Sequence, residues 1–185
     1  MLPGSGIKID IIMDIYIRRE NPGDHQAVRM LNDAAFGQPN EGMMVEAVRE
    51  NPRFIPELSL VAVHGGAVVG HILFFPIDII TPEGRTTSLS LAPLAVHPDV
   101  QGRGIGGRLV VEGMRAAEAA GFASIIVMGH PGYYPRFGFS PASRWGIKPP
   151  MQAPGEAFMA LELVPGSLEG KTGVVEYPRE YDVAL

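Results

Sequence analysis

The fold of this chain is decided by one stretch, Leu94-Ala95-Val96-His97-Pro98-Asp99-Val100-Gln101-Gly102-Arg103-Gly104-Ile105-Gly106-Gly107. An apolar run enters a glycine-rich loop, and a helical pattern follows the loop. Glycines leave backbone amides uncovered and permit positive φ. The first amides of a helix have no internal partner and lie at the positive end of its dipole. The stretch therefore predicts a strand, an anion-binding loop and a helix, with phosphate as the natural ligand of the loop.

The residues upstream of the loop predict a first strand and two helices. Alternating side chains in Ile15-Tyr16-Ile17-Arg18-Arg19 are typical of a half-buried strand. A turn at Asn21-Pro22-Gly23-Asp24 precedes the first helix, and Gly37 is its stop signal. The second helix is predicted from Gly42 to Glu50, because Asn51-Pro52 would break it.

A hairpin and an interrupted strand are predicted next. The strand-like runs 58–64 and 67–75 flank Gly65-Gly66, a tight-turn signal that makes the two runs antiparallel. The following strand runs from Thr86 to Val96 and contains Pro93. Because proline has no backbone N–H to donate, it marks a bulge or a break in strand pairing.

Downstream of the loop the pattern predicts a helix and further strands. The helix is expected from Gly107 to Ala119 and the next strand from Ser124 to Met128, which a parallel crossover would place beside the preceding strand. The last clear strand is predicted from Ala157 to Leu163, joined by a segment from Gly173 to Tyr177. This order indicates an α/β chain with helices packed on one sheet.

Length and composition indicate a single globular domain. The chain has 185 residues, of which 46% are hydrophobic and 19% charged, a composition that supports a core without disulfides or a structural metal. We assign residues 15–185 to one domain and residues 1–14 to a flexible leader or first-strand extension. The run 9–14 is too short and too acidic for a signal peptide or a membrane span, so a cytoplasmic location without membrane attachment is expected.

The charge and the absence of cysteine exclude several function classes. The net charge is -5 with only 15 lysines and arginines, which argues against nucleic acid as a partner because phosphate-backbone binding needs a basic face. The lack of cysteine excludes disulfides, thiolate zinc sites and a cysteine nucleophile. No grouping of the histidines suggests a metal site.

Two other phosphate-binding interpretations fit the residues less well. The glycines at 102, 104 and 107 match G-x-G-x-x-G, but a dinucleotide site needs them at the strand end and an acidic residue at the end of the next strand. Here the next strand ends Val127-Met128-Gly129-His130. The segment Gly166 to Thr172 resembles a nucleotide-triphosphate loop, but three residues separate its glycines instead of four.

Two motifs resemble those of the GNAT superfamily of N-acetyltransferases. The run Gln101 to Gly106 matches the family's pyrophosphate loop, Q/R-x-x-G-x-G/A, with Val96-His97-Pro98 as a typical lead-in. Further on, Tyr133 to Phe139 is similar to the family's Tyr-x-x-x-Gly-Phe segment, with Tyr134 at the tyrosine position. The run Gly129 to Tyr134 is most similar to the YhbS-type subgroup, which lacks the Asn-x-x-Ala pattern common elsewhere.

The resemblance covers nearly all of residues 15 to 163 and implies a fold, a co-substrate and site residues. The implied fold is a single mixed, mostly antiparallel sheet of about six to seven strands flanked by helices, with a bulged fourth strand before the loop. The implied co-substrate is acetyl-CoA, without a metal, and Tyr134 would protonate the departing thiolate. The residues implied to bind the cofactor are Leu94, Ala95, Val96, Gln101, Gly102, Arg103, Gly104, Ile105 and Gly106.

The sequence leaves the acceptor and the general base open. His130 has a suitable side chain for proton transfer but could equally be a solvated loop residue. The acceptor could be a small amine, an amino acid, or a protein lysine or N-terminus. A domain that binds acyl-CoA as a sensor, without turnover, is the alternative function, and edge strands would allow a homodimer.

Overall fold

The computed structural model describes residues 14–184, which contain three α-helices and nine β-strands. The predicted leader, residues 1–14, lies outside the described residues except for Asp14. The helices are α1 (His25–Phe36), α2 (Asn40–Arg49) and α3 (Ile105–Ala119). The strands are β1 (Tyr16–Arg19), β2 (Ser59–His64), β3 (Ala67–Thr81), β4 (Gly84–Val96), β5 (Ser124–Met128), β6 (Ser140–Pro141), β7 (Ile147–Lys148), β8 (Phe158–Glu162) and β9 (Gly173–Glu176).

All the strands belong to one mixed sheet, in the order β1-β2-β3-β4-β5-β8-β6. Strand β9 pairs with residues 78–80, near the C-terminal end of β3, and with β7. The pairings are antiparallel apart from β4 with β5 and β7 with β9. The mostly antiparallel sheet, the hairpin of β2 and β3 and the parallel crossover through α3 confirm the predicted architecture.

The sheet has nine strands in the described residues, where six to seven were predicted. The additional strands are β6 and β7, each of which has two residues. Two residues carry no detectable alternation of apolar and polar side chains, so sequence periodicity cannot identify them. Helix α3 also begins two residues earlier than predicted, at Ile105, because Gly104 adopts left-handed φ and caps the helix.

Helices cover both faces of the sheet. Helix α3 packs on one face through a core that includes Ile105, Leu109 and Val110. Helices α1 and α2 pack on the other face, where Val28 and Val48 are fully buried. This arrangement places α1 and α2 on the opposite side of the sheet from the helix that follows the glycine loop.

A buried polar network joins α1, α2 and the sheet. Asn32 Nδ2 lies 3.3 Å from His71 Nδ1, and His71 Nε2 lies 3.1 Å from Ser59 Oγ. Ser59 donates to Glu20 Oε2 at 2.5 Å, and Glu20 also forms a buried ion pair with Arg49 of α2. All of these contacts are satisfied by a neutral His71 whose Nδ1 accepts from Asn32 and whose Nε2 donates to Ser59.

Protonation of His71 is expected to destabilise the fold at acidic pH. Burial lowers the pKa of His71 from 6.5 to about 4. Between pH 6.5 and about 4, the unfolded chain binds a proton at His71 that the folded protein does not. The free energy of unfolding should therefore fall by roughly 3 kcal/mol as the pH decreases through this range. Urea unfolding across this range should show the loss in the wild type and not in His71→Gln. Equal pH dependence in both proteins would contradict the assignment.

The bulge in β4 opens the sheet between β4 and β5. Leu91 pairs with Phe74 and Leu94 with Ile72, so two residues of β4, Ala92 and Pro93, stand opposite one residue of β3. On its other edge β4 pairs with β5 only at Leu89 and Ser90. The proline predicted to disturb the strand does so, and beyond Ser90 the two parallel strands diverge.

Candidate active site

A cavity of about 600 Å³ lies where β4 and β5 diverge. We call it the central cavity. Residues 91–94 of β4 form one side, and residues 128–130, at the end of β5, form the other. Because β5 does not pair with this part of β4, an extended ligand can take the place of the missing strand.

Alternation of hydrogen bonds determines which backbone groups of β4 face the cavity. The amide of His97 donates to the Val69 carbonyl at 2.9 Å, so His97 and Val69 form a hydrogen-bonded pair. In an antiparallel ladder, hydrogen-bonded pairs alternate with pairs that are not hydrogen-bonded. The backbone groups of Ala95 therefore bond to β3, whereas those of Leu94 and Val96 point away from it. The backbone groups of Leu94 and the amide of Val96 are therefore available to a ligand, whereas the Val96 carbonyl accepts from the Gln101 side chain. The backbone of Ala95 is bonded within the sheet and its side chain is buried.

The glycine loop presents free amides at the start of α3. Arg108 is the first residue of the helix whose amide donates to a backbone carbonyl, that of Gly104 at 3.1 Å. The amides from Gly104 to Gly107 precede the first complete helical turn and have no intrahelical acceptor. Gln101 ties the loop to the strand, because its side-chain amide donates to the Val96 carbonyl at 3.0 Å. The loop is thus an open anion site at the positive end of α3.

A second concavity of about 480 Å³ lies over this loop and adjoins the central cavity. We call it the loop groove. It shares Leu94, Gln101 and Tyr133 with the central cavity, so one elongated ligand can occupy both. The remaining residues that line the loop groove are Val96, Gly102, Gly104, Ile105, Gly106, Gly107, Arg136 and Phe137.

Arg136 is the cation that lines the loop groove within the described chain. Its Nε donates to the Tyr133 carbonyl at 2.9 Å, and its guanidinium lies 4.7 Å from the centre of the Tyr133 ring. Sequence reasoning missed this residue, although it lies inside the Tyr-x-x-x-Gly-Phe segment. A single turn, Tyr134–Phe137, brings it beside the glycine loop.

Two further arginines lie near the loop: Arg103, which was predicted to bind the cofactor, and Arg108 of α3. Arg103 is exposed on the rim of the loop, where its guanidinium donates to the Asp99 carbonyl at 3.4 Å. It does not line the loop groove. Arg108 extends toward the first strand and donates to the Ile15 carbonyl at 2.8 Å.

Tyr134 is buried against the wall of the central cavity. Its ring makes edge contacts with Tyr133, at a centroid distance of 5.1 Å, and with Phe139, at 5.6 Å. Close packing against Gly129 also holds it, because a Cβ at that position would lie 2.4 Å from the Tyr134 ring. Burial raises the pKa of Tyr134, with a smaller effect from Tyr133. The phenol therefore keeps its proton at neutral pH and can act only as a proton donor there.

The outer part of the central cavity is formed by residues that are distant in sequence. Phe36 and Met44 come from α1 and α2, and Tyr177 and Tyr181 come from the C-terminal segment. His130 is exposed at the end of β5 and lines the same cavity. Apart from His130, none of these residues was identified from sequence, because only the fold brings the segments together.

No metal site or membrane-spanning helix occurs in the part of the chain that the structure describes. Within residues 14–184, no three histidine, aspartate or glutamate side chains are grouped so as to hold a metal ion. No helix in that range is long and apolar enough to cross a membrane.

Comparison with protein families gives one match that spans most of the described chain. Residues 16–142 match the family model described as an acetyltransferase (GNAT) domain. The chain is 38% identical over 134 residues to the uncharacterized N-acetyltransferase YjhQ of Escherichia coli K12, covering 72% of this chain and 74% of that one. It is 32% identical over 168 residues to the uncharacterized N-acetyltransferase YhbS of the same strain, covering 90% and 98%.

Solved structures of GNAT family proteins share the whole architecture. The fold matches a crystal structure of Escherichia coli YhbS in complex with CoA with a TM-score of 0.85 and 30% identity, over 91% of this chain and 92% of that one. It matches a GNAT family acetyltransferase from Brucella melitensis in complex with acetyl-CoA with a TM-score of 0.73 and 33% identity, over 91% and 98%.

Proposed function

Because the chain belongs to the GNAT family of acetyltransferases, we propose that it transfers an acetyl group from acetyl-CoA to a primary amine by direct attack in a ternary complex. One observation carries the proposal. The gap between β4 and β5 adjoins the glycine loop, whose backbone amides are free at the start of α3. An extended thioester arm and a pyrophosphate can therefore bind end to end.

The cofactor is proposed to bind along both concavities. The amides of the loop Gln101 to Gly106 would hold the pyrophosphate, with Arg136 beside them and Arg103 as a second phosphate partner on the rim. The pantetheine arm would lie along residues 94–96, where the outward-facing backbone groups of Leu94 and the amide of Val96 can pair with its amide groups. The structures of two related proteins in complex with CoA and with acetyl-CoA support a CoA thioester as the co-substrate.

In the proposed reaction the neutral amine attacks the acetyl carbon, so a C–N bond forms and the C–S bond breaks. The amide of Leu94 donates to the carbonyl oxygen as negative charge develops on it. Tyr134 donates its phenolic proton to the departing CoA thiolate and is reprotonated, through water, by the proton that the attacking nitrogen loses as the amide forms. His130 is proposed to accept, through water, the proton that the ammonium form of the acceptor must lose. One proton in total is released to solvent.

Replacement of Arg136 by alanine is expected to weaken acetyl-CoA binding about tenfold, which corresponds to the loss of one charged hydrogen bond of about 1.4 kcal/mol. The guanidinium lines the loop groove and is anchored by the Tyr133 carbonyl. Arg103→Ala, on the rim, is the matched comparison and should have a smaller effect. Calorimetric titration at two salt concentrations measures both. A larger loss for Arg103→Ala would reverse the two assignments.

Calorimetric titration with acetyl-CoA tests the proposed function, with NADH and ATP as controls for the two other loop interpretations. Saturable binding of acetyl-CoA alone, followed by release of CoA thiol when an amine is added, is the expected result. Binding of NADH or ATP in its place would overturn the assignment of the loop. Binding of acetyl-CoA without turnover of any amine would favour a non-catalytic acyl-CoA sensor.

A further inference from the structure

The central cavity is lined by a carboxylate, that of Glu41, which no cation of residues 14–184 neutralises. Glu41 lies in the first turn of α2 and lines the cavity, half-buried. Both of its oxygens accept from Gln38 Nε2, at 3.0 and 3.2 Å. Within residues 14–184 no lysine or arginine pairs with it, whereas Glu46, on the same helix, pairs with Arg29.

The residues that line this cavity include no lysine or arginine in the described chain. Glu41 is therefore the carboxylate that a ligand meets there. A negative charge inside a partly apolar cavity attracts a cation and repels an anion, and the effect is stronger than in water because the surrounding dielectric is lower.

Two tyrosines of the C-terminal segment form an aromatic wall of the central cavity. Tyr177 and Tyr181 are stacked, with ring centroids 5.2 Å apart and planes inclined at 24°. Tyr181 is 1% exposed, and its hydroxyl has no hydrogen-bond partner in the described residues, although it lines the cavity. Burial raises the pKa of Tyr181, and the nearby Ser90 side chain opposes that rise only in part.

This aromatic wall lies outside residues 16–142, which match the family model. The family match ends at residue 142, and the wall comes from the segment 177–184, which packs beside α2.

On the basis of the proposed function, we infer that the acceptor is a small primary amine with an apolar or aromatic body, a positive charge and no carboxylate. Glu41 is the residue that selects the cation. The amine body packs on Tyr177, whose ring also favours a nearby ammonium group. An amino acid is excluded, because its carboxylate would lie beside Glu41 without a cation to pair with it.

The test compares phenethylamine with phenylalanine, which differ only by the carboxylate. At saturating acetyl-CoA, the kcat/KM of CoA release should be on the order of 100-fold higher for phenethylamine, as expected for one unpaired buried charge. Glu41→Gln should raise the KM for phenethylamine about tenfold and leave acetyl-CoA affinity unchanged. Glu41→Lys should reduce or reverse the preference for phenethylamine.

Glu46→Gln is the matched control, because this carboxylate lies on the same helix, half exposed and paired with Arg29. Glu46→Gln should leave kcat/KM unchanged for both phenethylamine and phenylalanine. If acetyl-CoA binds and phenylalanine is the better acceptor, or neither amine reacts, the inferred acceptor class is wrong while the cofactor assignment stands. If acetyl-CoA does not bind, the proposed function itself fails.

Discussion

Tyr134→Phe should lower kcat by about 100-fold, at the lower end of the range for loss of a general acid. The CoA thiolate would then depart without a proton from the protein. Affinity for acetyl-CoA should change little, because the ring remains and keeps its edge contacts with Tyr133 and Phe139. Steady-state release of CoA thiol measures kcat, and calorimetric titration measures the affinity.

Tyr133→Phe is the control for this prediction. The two tyrosines are adjacent and in contact, yet the Tyr133 hydroxyl lies over the glycine loop, 2.9 Å from where a Cβ of Gly106 would be. Its loss should alter cofactor affinity more than kcat. Full activity of Tyr134→Phe would reduce Tyr134 to a packing residue of the cavity wall and leave the proton donor unassigned.

Gly104→Val should abolish measurable acetyl-CoA binding. Gly104 has a φ of 80° at the N-cap of α3, and a β-branched residue in that region is strained by about 1–2 kcal/mol. A shift of the loop to relieve the strain would move the amides of Ile105 and Gly106 away from the phosphate. Calorimetric titration with acetyl-CoA is the direct measurement.

The opposite end of the same helix provides the control for strain. Gly121 has a φ of 83°, and, as at Gly104, no atom lies within 4 Å of a Cβ built there. Gly121→Val should therefore lose similar stability in urea unfolding and still bind acetyl-CoA. If Gly104→Val binds acetyl-CoA as tightly as Gly121→Val does, the loop does not hold the pyrophosphate.

Local patterns predicted most of the fold and the cofactor side of the site. Strand alternation, the Gly65-Gly66 turn and the position of Pro93 predicted the hairpin, the bulge and the crossover that the structure contains. The six-residue loop from Gln101 to Gly106 predicted an anion site from glycine spacing alone. The predicted roles of these residues and of Tyr134 stay predictions until the variants are measured.

The sequence by itself determined the loop, the order of elements and the family, because these depend on residues close together along the chain. The tertiary structure decided which backbone groups of Leu94 and Val96 are open, that Arg136 lies beside the loop, and that Glu41 lines one cavity with Tyr177 and Tyr181. Contacts between segments more than a hundred residues apart depend on how the sheet is assembled. A local pattern therefore predicts the cofactor site, while the acceptor site exists only in the folded chain.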